Sequence, residues 1–141
     1  MTDGIKHSLV KPTLDTPFHI EFKWWEDQGR NWKVFLRNYL CSEHQAVFTE
    51  SQDDAMIDWV DPETAEVTIV DGIQQALISH CSKQPGFFTD KAMVDSIFLV
   101  FVTNANKPLT PKELEKIIGH PAQRILLTIG GITVQKGIRP L

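Results

Sequence analysis

KPLTPKELEKIIGHPAQRILLTIGG, Lys107 to Gly131, is the stretch on which the fold turns. Thr110 before Pro111 is written as an N-cap with proline at the first helical position. Glu113, three residues on, completes the Thr-Pro-Lys-Glu pattern of a capping box. Leu114, Ile117 and Ile118 supply the inner face of this helix, and Gly119 its C-cap. His120-Pro121 restarts the chain. Ala122 to Ile129 is then a second helix, with Ala122, Ile125, Leu126 and Ile129 inward and Gln123, Arg124, Leu127 and Thr128 outward. Gly130-Gly131 ends it, and ITVQKGIRP supplies a short strand with a turn or second strand.

Upstream, Thr89 or Asp90 opens a helix to about Thr103. Ala92, Met93, Ile97, Val100 and Phe101 face inward, and Phe98, Leu99 and Val102 leave little polar face, so this helix is buried on most sides. The order is therefore helix, helix, helix, strand. This resembles the winged helix-turn-helix superfamily, whose lT.eELa..lg rhythm is similar to PLTPKELEKIIG here. The resemblance covers Thr89 to Leu141. In DNA-binding members the second helix of the turn lies in the major groove. The resemblance thus implies Gln123, Arg124 and Thr128 toward base edges, and Lys112, Lys116, Lys136 and Arg139 on phosphates. It implies a nucleic-acid-binding regulatory protein acting as a dimer. Many domains of this shape instead bind proteins, and a protein-protein interaction module without nucleic-acid or catalytic activity is the alternative.

Working toward the N-terminus, residues 1–17 read as an irregular arm broken by Gly4, Pro12 and Pro17. Phe18 to Trp24 alternates apolar and polar residues as a half-buried strand does, which puts Trp24 and Trp25 on opposite faces. Asn31 caps a helix with Trp32, Phe35, Leu36 and Tyr39 on one side. Met56–Val60 and Glu66–Val70 flank Asp61-Pro62-Glu63 as a β-hairpin, and Asp71 caps a helix running through His80 and Cys81. The fold class is α+β. An acidic part, residues 18–88, packs with a winged-helix-like part, residues 89–141, in one compact unit.

Charge divides the same way. Residues 1–102 hold 8 Lys/Arg and 16 Asp/Glu, a net of −8; residues 103–141 hold 6 and 2, a net of +4. The asymmetry points to an anionic partner for the basic end, either nucleic acid or an acidic protein surface, a second copy included. Glu43 to Asp71 alone carries nine acidic residues and no Lys or Arg, which reads as a solvated face. The longest apolar run, Ile97 to Val102, falls far short of the ~18 residues a membrane helix needs. The N-terminus has no signal-peptide pattern, so a cytoplasmic location is expected. No Gly-rich phosphate loop, HExxH or GxSxG motif is present, and no enzymatic activity is expected.

One constellation remains. LCSEH places Cys41 three residues before His44, and ISHC places His80 beside Cys81. Two thiols and two imidazoles are the donor set of a structural zinc site. The first pair has suitable spacing at a helix end. The second is awkward, since neighbours on a helix diverge by about 100° and seldom reach one ion together. Two buried thiols without metal are the other reading.

Overall fold

The computed structural model describes residues 11–42, 44, 56–60, 64–65 and 67–141, with the backbone course alone at 56–59 and 68–71. In chain order they form β1 (Phe18–Ile20), α1 (Phe22–Asp27), α2 (Trp32–Arg37), β2 (Met56–Val60), β3 (Val67–Asp71), α3 (Gly72–Ser79), a 3-10 turn (Cys81–Lys83), α4 (Met93–Thr103), α5 (Pro111–Ile118), α6 (Ala122–Ile129) and β4 (Ile138–Pro140). The class is α+β. The first ten residues of the arm, most of the acidic segment and Asp61-Pro62-Glu63 lie outside the described residues.

The core is organised around α4. Ser96 to Val102 are all buried, and the helix packs against α3, α5, α6 and β1. A helix apolar on every side has no face to give to water, so it takes the centre. One contiguous core joins Phe18 and Ile20 of β1, Trp25 of α1, Leu36 of α2, Leu77 of α3, Leu114 and Ile118 of α5, Ile125 and Ile129 of α6, and Ile138 of β4.

The α5 start follows its capping chemistry. Thr110 Oγ1 accepts from the Glu113 N–H at 3.2 Å, and Glu113 Oε1 accepts from the Thr110 N–H at 2.9 Å. Gly119, with φ of 80°, closes the helix in the left-handed conformation, which glycine adopts without a Cβ penalty. Glu115 then reaches forward, and its Oε1 accepts from the Ala122 N–H at 2.8 Å to start α6. The expected inner face needs one correction. Leu114 and Ile118 are buried, but Ile117 is 41% exposed. The buried stripe runs through Pro111, Leu114 and Ile118, and at 3.6 residues per turn Ile117 lies roughly 90° from its centre.

A second correction concerns the first strand. It stops at Ile20 instead of running to Trp24, and α1 begins at Phe22. A strand lasts as long as its partner. Here the partner is β4, antiparallel and three residues long, in register Phe18↔Pro140, His19↔Arg139, Ile20↔Ile138. On its other side β1 bridges Leu109. Just before β4 the chain turns sharply at Lys136 and Gly137, both with positive φ, as a type I′ turn requires. The ladder ends there with the Glu21 N–H donating to Gly137 O at 2.8 Å. In the helix that follows, Trp25 is fully buried and donates its indole N–H to Lys136 O at 2.9 Å. Trp24 is partly buried against the same core, its ring edge-on to Trp25.

The hairpin forms as expected with a one-residue shift, β2 pairing β3 antiparallel from Met56↔Asp71 to Val60↔Val67. Helix α4 starts at Met93, later than the expected Thr89 or Asp90, because the Thr89 and Asp90 N–H groups both donate to Gly86 O and close a turn there first.

Candidate metal centre

Helix α2 carries Leu36 into the core, and the chain leaving it buries Leu40 as well. Both packing positions fix where Cys41 emerges, half-buried, just beyond the helix. Helix α3 packs against α2 and α4 and buries Ile73, Ala76 and Leu77. The chain leaving it brings His80 and Cys81 alongside Cys41. The two segments are 40 residues apart in sequence.

Four side chains converge. Cys41 Sγ lies 3.1 Å from His44 Nδ1, 3.3 Å from His80 Nδ1 and 3.2 Å from Cys81 Sγ. Cys81 Sγ lies 3.6 Å from His44 Nδ1. All four donor atoms fall within 4.8 Å of one another. A tetrahedral zinc, with Zn–S about 2.3 Å and Zn–N about 2.0–2.1 Å, spaces its donors roughly 3.4–3.8 Å apart. The three contacts of Cys41 Sγ are a few tenths of an ångström tighter, the Cys81–His44 contact falls within that range, and every pair lies within 4.8 Å, so small side-chain rotations bring the set to ligand distance. The residues fit zinc in number, type and proximity, and could hold it.

The objection raised by adjacency of His80 and Cys81 is met by a break in the helix. Regular α-helix ends at Ser79; His80 has φ −137° and ψ −61°, and Cys81 opens a 3-10 turn. The 100° divergence of helical neighbours does not apply across such a junction. His80 keeps its N–H bonded to Ala76 O at 3.1 Å, so the backbone stays anchored while the side chains turn together.

Electrostatics separates the two thiols. The hydrogen bond from the His44 ring, with help from His44 backbone, Cys81 and His80, pulls the Cys41 thiol down to about 6. Burial pushes the Cys81 thiol up to about 11. The Cys41 N–H also donates to Cys81 Sγ at 3.1 Å, a backbone bond of the kind that stabilises negative charge on a metal-bound sulfur.

The residues expected on nucleic acid are arranged differently. Lys112 pairs with Asp15 at 2.9 Å and Arg139 with Glu21 at 3.4 Å, both on the surface. Lys136 is largely covered, 3.6 Å from Asp95, with its ammonium 4.4 Å from the centre of the Phe35 ring. Tyr39 completes this group, its hydroxyl donating to Asp95 Oδ2 at 2.8 Å. Lys116, Gln123 and Arg124 are exposed, and neither cation makes an ion pair among the described residues. Thr128 turns its hydroxyl back to its own helix, donating to Arg124 O at 2.9 Å. Beside these polar residues two large apolar ones stand in water: Leu127 at 74% exposure, and Ile132, fully exposed. The Tyr39–Asp95–Lys136 group carried no sequence signal, because its members come from α4, from the end of α2 and from the turn before β4. No protein-family model, curated protein or solved structure matches this chain.

Proposed function

We propose that this chain is a zinc-binding protein in which Cys41, His44, His80 and Cys81 hold one structural zinc. The observation that carries the reading is the gathering of four donors, from segments 40 residues apart, within 4.8 Å of one another, with four of the pairs at 3.1–3.6 Å. Two thiolates and two imidazoles fill all four positions of a tetrahedral ion, so the site keeps none for a substrate and its role is to clasp the end of α2 to the end of α3. Protein purified without chelator should carry one zinc per chain by elemental analysis. Absence of zinc after incubation with excess zinc salt and desalting would refute the assignment.

A second reading concerns α5 and α6, whose order after α4 supports a winged-helix-type unit. Its outward face supports a protein partner better than a nucleic acid. Three of the expected phosphate ligands, Lys112, Lys136 and Arg139, face carboxylates, while Leu127 and Ile132 present apolar surface with Lys116 and Arg124 nearby in sequence. The net charge of −8 over residues 1–102 favours a second copy as the occupant: the face carrying Lys116, Arg124 and Leu127 on each protomer meets the acidic part of the other, a reciprocal arrangement that twofold symmetry closes. Sedimentation equilibrium should find a dimer that dissociates with added salt and in Leu127→Asp. A salt-insensitive monomer would refute this. Binding of duplex DNA at low salt, lost in Arg124→Ala, would return the face to the nucleic-acid reading.

A further inference from the structure

We propose that Cys41 and Cys81 form a peroxide-sensitive pair that expels the zinc by closing a disulfide. The inference rests on the zinc reading and adds a regulatory property to the same site. Its basis is the contact of the two sulfurs, 3.2 Å apart, in segments that α2–α3 packing already holds together. A disulfide needs about 2.03–2.05 Å, so the sulfurs must close by a little over one ångström, a movement that side-chain rotation can supply.

The two thiols differ in access, and that sets the order of events. Cys41 is half-buried, whereas Cys81 is 1% exposed and belongs to the core. Peroxide therefore meets Cys41. The Cys41 thiolate attacks one peroxide oxygen, an S–O bond forms, the O–O bond breaks, and the departing hydroxide takes a proton to become water. Cys41 is then a sulfenic acid. The Cys81 thiolate attacks that sulfur, the S–S bond forms, the S–O bond breaks, and the second hydroxide is protonated to water. Two thiolates, one hydrogen peroxide and two protons become one disulfide and two waters, the two electrons passing from sulfur to oxygen.

The consequence for the metal follows from its ligands. Oxidation removes both anionic donors and leaves His44 and His80, two neutral imidazoles, which hold zinc far less tightly than the complete set. The fold outlasts the loss, because the disulfide joins the same two segments that the metal joined. Release and reloading become reversible by thiol reductants, a step that consumes two electrons and restores both thiols.

The test uses the full chain, loaded with zinc and assayed for metal content beforehand. Hydrogen peroxide is added in steps. Released zinc is followed with a chromogenic chelator, disulfide by alkylation and intact mass, and fold by circular dichroism. One zinc should be released per disulfide formed, the spectrum should persist, and dithiothreitol with fresh zinc should restore the starting state. In the metal-free Cys81→Ser chain, Cys41 should stop at sulfenic acid and be trapped by dimedone. A zinc-loaded chain that keeps its metal at peroxide levels that fully oxidise free cysteine overturns the switch and leaves the zinc site standing. So does zinc release with sulfinic acid in place of a disulfide. A chain that takes up no zinc overturns both.

Discussion

Stripping zinc should lower the melting temperature by about 12 °C without unfolding the protein at room temperature. The size comes from two independent routes. Free zinc at a thousandfold above its dissociation constant stabilises the folded state by about 4 kcal/mol. The cross-link itself, spanning residues 40 apart, removes loop freedom from the unfolded chain worth about 4 kcal/mol at 25 °C in the chain-entropy treatment. For 141 residues, roughly 3 °C of melting temperature correspond to each kcal/mol. Unfolding at room temperature is not expected, because the clasp sits at the edge of a core that closes without it: Leu36, Leu40, Ile73 and Leu77 belong to one buried cluster with α4. A classical zinc finger lacks such a core and depends on metal to fold. Cys41→Ser is the cleaner of the two cysteine variants, since Cys41 is half-buried and Cys81 fills core volume. Its melting temperature in excess zinc should match that of chelated wild type within about 3 °C, the equivalent of about 1 kcal/mol. Differential scanning calorimetry with and without chelator reads both quantities. A Cys41→Ser chain that gains as much from zinc as wild type would refute the ligand assignment. Complete unfolding on chelation would refute the claim that the core stands alone.

Three further outcomes are expected. Gly137→Ala should destabilise by about 3 kcal/mol or more, because a left-handed φ of 79° costs alanine roughly 1–2 kcal/mol and its Cβ would lie 2.9 Å from Glu21 O and 3.2 Å from Trp25 Nε1, an overpacking of about 1–3 kcal/mol; Gly119→Ala shares the φ but meets nothing within 4 Å, so its net cost should be about 1 kcal/mol, and equal losses in urea melts would refute the role of the contact. Tyr39, the chain's single tyrosine, should titrate in the folded protein near 12 instead of 10, burial and the Asp95 hydrogen bond both raising it; its contribution to stability is complete below pH 10 and is lost as pH rises through 12, and tyrosinate absorbance with a midpoint at 10 in folded protein would contradict this. Thr110→Ala should cost about 1 kcal/mol by removing the α5 cap, seen as a shift in denaturant midpoint with unchanged slope.

What was legible in the sequence was what local chemistry dictates. The start of α5 is written in four residues, Thr110 to Glu113, and both capping bonds form. The buried centre of α4 is written in the unbroken apolar run Ile97 to Val102. The pairing of α2 with Asn31 follows from an acceptor at the right place, its Oδ1 receiving the Lys33 N–H. What was not legible depends on distant partners. Phe18 to Trp24 has the alternation of a strand throughout, yet only three residues find a partner, because β4 offers only three. Nothing near Trp24 announces the length of a strand that begins at Ile138. Ile117 fails for a smaller reason: an eight-residue helix buries a narrow stripe, and one residue at its edge is decided by neighbours.

The candidate site divides along the same line: the spacing of the candidate metal ligands was legible, and the surroundings of the basic residues were not. Cys41-x-x-His44 is local, and its spacing alone brings two donors to one side. His80-Cys81 looked unfavourable only under the assumption of a continuous helix, and the junction at Ser79 removes that assumption. Few other side chains bind zinc, so four such residues gathered together carry meaning beyond their positions. Lysine and arginine carry no comparable information. Lys136 reads from sequence like any exposed cation, but its backbone is held by Trp25 and its ammonium by Asp95 and the Phe35 ring. Those contacts tie the turn before β4 to α1, α2 and α4, and a lysine engaged in this way contributes to the fold before any partner arrives. The same logic directs attention to Leu127 and Ile132. Apolar side chains gain nothing from water, and a fold that buries Ile125 and Ile129 on the inner face of α6 leaves Leu127 on the outer one. The apolar surface this segment offers a partner is Leu127 on the outer face of α6 and Ile132 just past its end.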